Sequence, residues 1–251
     1  MIKGFYSAVS AMIARLKQQE LISHNISNLN TPGFKQTLTS MEEFMNVNVY
    51  SASGASTSGQ IQALGEMGLG VSAAPEITDF SQGSLRGTGQ VLDLAIEGDG
   101  FFNVETPEGE RYTRDGRFTL DAESNLVTVD GYFVLSETGQ QITLPEGEIR
   151  ISSDGEIFVD GSSQASLGLA VFEDPSGELI RHPGNMYEST GQPAGDPAGS
   201  IVQGYLEMAN VDPAVMMTEM SKVARAYEAA QQMVQSQDEL LGKAISVLGQ
   251  Y

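Results

Sequence analysis

Cysteine and tryptophan are absent from this sequence, and histidine occurs only twice in its 251 residues. Without cysteine the protein has no disulfide bonds and no thiolate metal sites. A zinc site needs about three or four ligands at close spacing. His24 and His182 are far apart in the sequence, and neither has another histidine or a cysteine near it. We expect both histidines to be structural or solvated. The sequence therefore predicts no metal ion and no cofactor.

Basic residues are also scarce, with 13 lysines and arginines against 33 aspartates and glutamates, and the net charge is −20. Residues 84–200 carry 21 acidic and six basic residues, whereas residues 1–34 carry three basic residues and one acidic residue. Nucleic acids and anionic membranes both require a positive face on a protein. The acidic middle of the chain argues against nucleic acid as a partner, and we interpret it as a solvated surface.

Long hydrophobic runs are missing as well. None reaches the roughly 18–20 residues of a membrane span, so we expect no membrane insertion. Residues 1–14 are mildly apolar, so we consider whether they form a secretion signal. Gly4, Ser7 and Ser10 dilute that run, and Arg15-Leu-Lys-Gln-Gln-Glu continues a helix instead of supplying a cleavage site. We therefore expect no cleaved signal peptide.

The strongest pattern lies at the C-terminus. From Met216 onward, ten positions alternate four and three residues apart, and Gln237 is the one polar residue among them. This spacing lays a narrow apolar seam along a helix that must be buried against other helices. Asp212 and Pro213 suit the start of that helix. We expect Gln237 to face a polar group or water among packed helices. The seam consists of Met216, Met220, Val223, Tyr227, Ala230, Val234, Gln237, Leu241, Ala244 and Leu248.

A second amphipathic helix is predicted over residues 3–29. Phe5, Val9, Met12 and Leu16 keep the same spacing, and polar residues then interrupt it. Because this weaker seam is of the same type, we infer that the two ends of the chain pair as helices. They pair with each other or with copies from other subunits.

Polar and turn-forming residues end this first helix in the segment His24-Asn-Ile-Ser-Asn-Leu-Asn-Thr-Pro-Gly-Phe-Lys. Its asparagines can hydrogen-bond nearby backbone, and a threonine before proline is pushed into an extended conformation. Pro32-Gly33 then makes a tight turn, and Phe34 must bury its ring. We add six residues of this segment to the candidate assembly residues on the two helices: Asn25, Asn28, Thr31, Pro32, Gly33 and Phe34.

The rest of the chain divides into a connector and a β-rich region. Residues 35–83 are poorly patterned, with a flexible Ser/Ala/Gly loop at 51–58 and a possible strand at 71–80. From residue 85, short alternating segments separated by five Asp-Gly pairs predict antiparallel strands and hairpins. Residues 181–200 are predicted to be loop.

The predicted fold class is α+β, with N- and C-terminal helices pairing as a coiled coil and an inserted all-β domain of antiparallel strands. We divide the chain into a terminal-helix domain (residues 1–34 with 207–251), an extended connector (35–83) and a β domain (84–206). An enzyme would need a catalytic constellation. Paired carboxylates such as Glu97 and Asp99 are the one candidate, for an extracytoplasmic carbohydrate-active or sugar-binding protein. Without tryptophan or an aromatic-rich cleft, we favour a protein that is not an enzyme.

Several separated motifs resemble one family in the right order. They are the 24–35 segment, then Leu92-Asp-Leu-Ala-Ile-Glu-Gly-Asp-Gly-Phe-Phe, Tyr112-Thr-Arg-Asp-Gly-Arg-Phe and Leu126-Val-Thr-Val-Asp-Gly-Tyr, and finally Gln203-Gly-Tyr-Leu-Glu-Met-Ala-Asn-Val-Asp-Pro with Ala226-Tyr-Glu and Asp238-Glu-Leu-Leu. Together they resemble the bacterial flagellar rod and hook axial proteins over essentially the whole chain. The Ser/Gly-rich stretch 50–70 and Gln203-Gly-Tyr-Leu-Glu are most similar to members that form the distal part of the rod.

The resemblance implies a structural protein that self-assembles into a hollow helical tube. In this family the terminal helices form the inner wall and the β domain lies outside. Implied partners are copies of the chain, other rod and hook proteins, and the flagellar type III export apparatus, through which members leave the cell unfolded. The implied location is the extracytoplasmic basal body.

Overall fold

The structure is a computed structural model, and it describes residues 2–51, 62–194 and 199–248. The chain begins with α1 (Ile2–Ser27), followed by β1 (Thr37–Leu38), β2 (Met41–Ser51), β3 (Gln62–Ala73) and β4 (Ile77–Thr78). The next strands are β5 (Leu85–Gly87), β6 (Leu94–Glu97), β7 (Phe101–Thr106), β8 (Gly109–Thr113), β9 (Phe118–Leu120), β10 (Leu126–Thr128) and β11 (Phe133–Val134). Then come β12 (Ile149–Ile151), β13 (Glu156–Val159), β14 (Ser162–Ser166), β15 (Leu169–Ala170), α2 (Pro175–Glu178), β16 (Leu179–His182) and β17 (Met186–Ser189). The chain closes with β18 (Ser200–Gln203), β19 (Tyr205–Glu207) and α3 (Pro213–Leu248).

The chain folds as two compact units. Unit 1 comprises Met1–Ile26, Thr37–Ile77 and Pro213–Tyr251, and unit 2 comprises Ser27–Gln36 and Thr78–Asp212. Terminal helices thus flank a β-rich region of antiparallel strands, and the predicted α+β class is confirmed. The three-part division made from the sequence stays a prediction.

Both terminal helices belong to unit 1. α3 begins at Pro213, where a missing N–H costs nothing because first-turn donors have no partner within a helix. It continues without another proline through the heptad pattern to Leu248, so its bounds agree with those expected from the sequence. α1 ends at Ser27, where the asparagine-rich segment begins to turn.

A long hairpin in unit 1 occupies much of the region predicted as an unpatterned connector. β2 and β3 pair antiparallel from Met41 opposite Ala73 to Ser51 opposite Gln62. The Val71 N–H donates to Ser10 Oγ on α1 at 3.2 Å, which fixes the hairpin to the helix. A Cβ on Gly70 would overlap that hydroxyl, so glycine is needed there. The flexible loop predicted at 51–58 falls outside the described residues after its first position.

Unit 2 is built around an eight-stranded sheet with the order β16-β17-β8-β7-β11-β10-β9, and β15 also pairs with β7. β12, β13 and β14 form a second sheet, and β6 pairs with β18 and β5 with β19. Successive residues of β7 point to opposite faces, as strand geometry requires. Phe102 and Val104 enter a large aliphatic core, whereas Phe101 enters a smaller aromatic cluster that includes Tyr112 and Tyr187.

The Asp-Gly pairs were expected to mark hairpins, and three of the five do so. They lie at residues 130–131 between β10 and β11, 154–155 between β12 and β13, and 160–161 between β13 and β14. At 160–161 both residues have positive φ, 50° and 80°, as a two-residue type I′ turn demands. The pairs at 99–100 and 115–116 instead connect strands that do not pair with each other.

The loop predicted over residues 181–200 is wrong in its first half. β16 and β17 form a hairpin in which Arg181 pairs with Tyr187 and His182 with Met186. Gly184 and Asn185 make the turn with φ values of 80° and 57°. Proline and glycine therefore mark a tight turn here, and the flanking residues extend the sheet.

Among the described residues, no helix has both the length and the hydropathy needed to cross a membrane.

Candidate assembly surfaces

The predicted seam of α3 is the shielded side of that helix. Met216 and Val223 are buried, and the next seam positions are half-buried, namely Met220, Tyr227, Ala230, Val234, Gln237, Leu241 and Ala244. Leu248 ends the helix, but its side chain lies outside the described part of the chain. The other positions of the helix are mostly exposed. The 3.5-residue pattern thus identified the correct face, whereas its role in assembly stays a prediction.

Gln237 interrupts this seam beside the N-terminal helix. Its Nε2 atom lies 3.8 Å from the point where a Cβ on Gly4 would be. Its Oε1 atom is enclosed and accepts no hydrogen bond from any described residue. An enclosed carbonyl oxygen without a donor is costly. The polar partner predicted for Gln237 would therefore come from water or from a neighbouring copy.

The candidate positions on α1 are less shielded than those on α3. Phe5, Val9 and Met12 are half-buried, and Leu16 is exposed. The buried residues of α1 are instead Ala8, Ala14, Leu21, Ile22 and Asn25. The predicted seam on α1 therefore lies to one side of the face that the chain itself buries. Its role as an assembly surface stays a prediction.

Both helices also expose large apolar side chains that mostly lie outside the two predicted seams. Met233 and Leu240 on α3 stand seven residues apart, with side chains 66% and 49% exposed, and Tyr6 and Ile13 on α1 have the same spacing. A seven-residue repeat keeps side chains on one face of a helix. The seven-residue spacing could have predicted these exposed apolar faces from the sequence. The sequence interpretation followed the more regular 4-3 pattern instead. The full set of exposed apolar residues on α1 and α3 is Tyr6, Ile13, Leu16, Val215, Met217, Met233, Leu240 and Ile245.

The asparagines at the end of α1 fix the backbone that follows. Asn25 is buried, and its side-chain amide donates to Thr37 O at 2.8 Å and accepts from Thr37 N–H at 3.0 Å. Thr31 Oγ1 donates to Asn28 Oδ1 at 3.1 Å, and the Thr31 N–H donates to Asn28 O. These bonds give both asparagines a local structural function, as expected for helix ends and turns.

Pro32 and Gly33 form a turn that lies directly on the β region of unit 2. Asn185 Nδ2 donates to Pro32 O at 3.0 Å, and the Gly33 N–H donates to Glu207 O at 2.7 Å. Gly33 has a φ of 67°, and a Cβ there would overlap the backbone of Arg114 and Asp115. Glycine is required by both the left-handed conformation and the close approach.

Phe34 is buried as expected, under an arginine. The Arg181 guanidinium lies over its ring with 4.3 Å between Cζ and the ring centroid, and Arg181 Nη1 donates to Lys35 O at 3.1 Å. Such cation–π contacts are stronger when they are shielded from water. The β16–β17 hairpin, which the sequence interpretation missed, therefore holds the 24–35 segment in place.

A buried ion cluster lies beneath this turn. Lys35 Nζ is 2.6 Å from Glu207 Oε1, and Arg114 Nη1 is 3.2 Å from Glu207 Oε2. The Lys35 and Glu207 side chains are each only 1% exposed. Burial lowers the pKa of Lys35, opposed by the adjacent Glu207 carboxylate, and burial likewise lowers the pKa of Arg114. One buried carboxylate thus forms ion pairs with two buried cations.

Backbone groups complete the cluster. Lys35 Nζ donates to Ser81 O at 2.8 Å, Arg114 Nη2 donates to Gly98 O at 2.8 Å, and the Gly83 N–H donates to Glu207 Oε1 at 2.8 Å. Arg114 Nε is buried without a described acceptor. Because the acid and its two bases come from three distant stretches of sequence, periodicity and spacing could not identify this cluster.

Asn210 makes a second connection between the two ends of unit 2. Its Oδ1 accepts from the Gln36 N–H at 2.8 Å, and its Nδ2 donates to Asp79 O at 2.8 Å. Gln36 Nε2 donates to Asp79 Oδ2 at 2.8 Å. The segment just before α3 is therefore joined to the segment just after α1.

The residues weighed for catalysis are not brought together. His24 is exposed, and His182 Nε2 forms an ion pair with Glu188 Oε2 at 2.7 Å if the ring is protonated. Glu97 at the end of β6 and Asp99 on the following turn are both exposed. In the described ranges, no group of three or more His, Asp or Glu residues is placed to hold a metal ion. The contacts described above instead hold the 24–35 segment against the β region.

Three parts of the chain match known protein families. Residues 5–35 match the family described as "Flagella basal body rod protein", and residues 95–159 match "Flagellar hook protein FlgE/F/G D1 domain". Residues 202–247 match "Flagellar basal body rod FlgEFG protein C-terminal". These matches contain the 24–35 segment, the core strands β7 to β13, and most of α3.

Several relatives align along nearly the whole chain. The flagellar basal-body rod protein FlgG of Bacillus subtilis is 32% identical over 265 residues, which cover 98% of this chain and 99% of the relative. FlgF of Caulobacter vibrioides, also a flagellar basal-body rod protein, is 35% identical, with 99% of each chain covered. FlgG of Borreliella burgdorferi is 33% identical, with 97% of this chain and 98% of the relative covered. The resemblance seen in the sequence is confirmed: the chain belongs to the family of flagellar basal-body rod and hook proteins.

Proposed function

We propose that this chain is a structural subunit of the flagellar basal-body rod. Copies polymerise helically into a hollow shaft that transmits torque from the motor to the hook, together with other rod and hook proteins. The subunit works outside the cytoplasm in the basal body and is not an enzyme. It reaches that place through the flagellar type III export apparatus.

The observation that carries this proposal is the distribution of apolar surface. Among the residues that the structure describes, eight of the fifteen exposed large apolar side chains belong to the two terminal helices. On a folded protein, a large exposed apolar patch marks an interaction site. Helices with a buried seam on one face and apolar side chains on another can pack against several neighbours, as the wall of a tube requires.

Within the family, we propose a place in the distal rod. The support is the Ser/Gly-rich stretch at 50–70 and the segment Gln203-Gly-Tyr-Leu-Glu. The β2–β3 hairpin, which emerges from that stretch, would be wedged between subunits and stiffen the shaft. Relatives named FlgG and FlgF match at similar identity, so a proximal rod or hook-type paralogue is the alternative.

Electron microscopy and sedimentation of the purified full-length chain test the proposal. We expect tubes above a critical concentration. The double variant Met233→Glu with Leu240→Glu should raise that concentration by well over tenfold, because each apolar side chain contributes about 1.5–3 kcal/mol when buried. Circular dichroism of the monomer should be unchanged, since both side chains are exposed in the single chain.

The control is Val91→Glu, which places one such charge on an exposed apolar residue of unit 2. Equal polymerisation of the double variant and the wild type would contradict a role for these helix faces. Turnover of peptidoglycan by the wild type, lost in Glu97→Ala or Asp99→Ala, would instead support the carbohydrate-active alternative.

A further inference from the structure

Unit 2 contains an open cavity whose lining combines an arginine and its paired glutamate with a histidine and several apolar side chains. Its volume is about 410 Å³, and it lies between the β7–β8 turn, the β10–β11 turn and the β16–β17 hairpin. The residues that matter here are Pro107, Arg111, Tyr132, His182, Pro183 and Met186. None belongs to the ion cluster around Glu207 or to the exposed faces of the terminal helices.

Arg111 supplies the cation. Its side chain is only 9% exposed, and its ion-pair partner among the described residues is Glu108, whose side chain is 74% exposed. By contrast, the buried bases Lys35 and Arg114 share a carboxylate that is itself fully enclosed. Arg111 is therefore a buried cation whose counter-ion can turn into solvent. A guanidinium offers five N–H donors in a planar fork, and one exposed glutamate does not occupy them all.

The second polar group at the cavity has the same character. His182 Nε2 lies 2.7 Å from Glu188 Oε2, and the Glu188 side chain is 53% exposed. The two acids paired with Arg111 and His182 are both exposed, so each can turn away without disturbing the core. The buried Met186 and the rings of Pro107, Pro183 and Tyr132 surround the remaining space with apolar surface. A carboxylate on an aliphatic stem fits this combination.

We propose that this cavity receives an aspartate or glutamate side chain from a neighbouring copy of the chain, and that Arg111 binds its carboxylate. This inference rests on the proposed self-assembly. Unit 2 carries 24 acidic residues against seven basic ones, so copies offer many carboxylates and few other cations to receive them. A pocket on one copy filled by a turn from the next is a heterologous contact, which is the type that builds open helical assemblies.

The critical concentration for tube formation tests this contact. Arg111→Gln should raise it about tenfold, because the lost bond is a charge-assisted one from a shielded guanidinium. The matched control is Arg150→Gln, which removes the same charge from an ion pair whose two side chains are 76% and 69% exposed. That control should polymerise like the wild type.

Glu108→Gln gives a result of opposite sign. If Glu108 competes with the incoming carboxylate, its removal lowers the critical concentration; if the Arg111–Glu108 pair only stabilises the turn, its removal does not. Thermal unfolding of each monomer identifies variants that fail to fold. The inference is overturned if Arg111→Gln polymerises like the wild type, or if Glu108→Gln does not lower the critical concentration. Absence of tubes from the wild type itself would instead overturn the proposed function, and this contact with it.

Discussion

The two units of this chain distribute apolar residues in opposite ways. Of the described apolar residues that are buried, seven belong to unit 1 and 26 to unit 2. Of the large apolar residues that are exposed in the described ranges, eleven belong to unit 1 and four to unit 2. Unit 2 has a complete core of its own, whereas unit 1 keeps much of its apolar surface outside. Unit 2 therefore buries its apolar residues when the single chain folds, whereas unit 1 leaves apolar side chains exposed that the proposed assembly would bury.

The buried aromatic residues sharpen this contrast. Every aromatic side chain in the described core belongs to unit 2, including the cluster of Phe101, Phe172 and Tyr187 with edge-to-face contacts. The described buried apolar residues of unit 1 are three alanines and four larger aliphatic residues, Leu21, Ile22, Met216 and Val223. Aromatic rings contribute the largest buried areas in a core. Unit 2 should therefore unfold as the more stable unit in the monomer.

The largest expected effect is the loss of Glu207. Glu207→Gln leaves the charges of Lys35 and Arg114 buried without an anion, and such a change costs about 3–5 kcal/mol. Denaturant unfolding of unit 2, followed by near-ultraviolet circular dichroism of its tyrosines, measures the cost. The control is Glu148→Gln, which removes an exposed pair and should change stability by less than about 1 kcal/mol. Similar small effects of the two variants would show that the cluster does not hold unit 2 together.

Alanine in place of glycine should act with opposite sign in the two units. Gly33→Ala meets a φ of 67° and a backbone overlap, so we expect unit 2 to lose at least about 2 kcal/mol. Gly242→Ala in α3 meets no atom within 4 Å and should stabilise the helix by about 1 kcal/mol. Thermal unfolding of the two variants checks both signs. A stabilised Gly33→Ala variant would contradict the docking of this turn.

Alkaline pH should weaken unit 2 through Tyr187. Burial raises the pKa of Tyr187 to about 12, above its ordinary value of 10.0. Between these two values the unfolded chain loses the phenolic proton first, so the free energy of unfolding falls as pH rises, by about 2–3 kcal/mol in total. Tyr187→Phe should lack this fall. It should also be at least as stable at neutral pH, because the Tyr187 hydroxyl is buried without a described hydrogen-bond partner.

Denaturant titrations of the wild type and Tyr187→Phe at several pH values between 8 and about 12 provide the test. The difference between the two proteins isolates Tyr187 from the other tyrosines. A difference that does not change with pH would show that this hydroxyl ionises as freely in the folded state as in the unfolded chain.

The smallest expected effect is a gain in unit 1. Gln237→Leu removes an enclosed carbonyl oxygen that lacks a donor and continues the apolar seam of α3, so the helix should gain about 1 kcal/mol. Helical circular dichroism during heating of the monomer measures the gain. Gln232→Leu on the exposed side of α3 is the control and should have no such effect. A destabilised Gln237→Leu variant would show that water or another polar group already satisfies Gln237.

Regular periodicity explains what the sequence could predict. α3 follows from Pro213 and the heptad pattern, and β7, β10 and β13 follow from short alternating segments between turns. The β2–β3 hairpin could not be predicted in the same way. Its second strand contains Gly65, Gly68 and Gly70, which interrupt any alternation of apolar and polar residues. Hydrogen bonds to the neighbouring strand β2 hold it extended instead.

The candidate site shows the same limit. The 24–35 segment was identified from its turn residues, and the burial of Phe34 was expected. The partners of that segment could not be predicted, because Lys35 and Glu207 are 172 positions apart and Arg114 and Glu207 are 93 positions apart. Contacts at such distances leave no periodic trace. Arg181 was hidden further, because the proline and glycine that follow it favoured a loop in the sequence interpretation.

The position of Glu207 has a mechanical consequence. The chain first enters unit 2 at residues 27–36, returns to unit 1 over residues 37–77, and finally leaves unit 2 through residues 205–212. Gly33, Lys35 and Gln36 on the first segment bond directly to Glu207 and Asn210 on the last. A tensile force applied to the two ends of unit 2 therefore passes from one segment to the other across these bonds. The eight-stranded sheet lies outside this path, so its strands can bear side chains for contact without carrying the load.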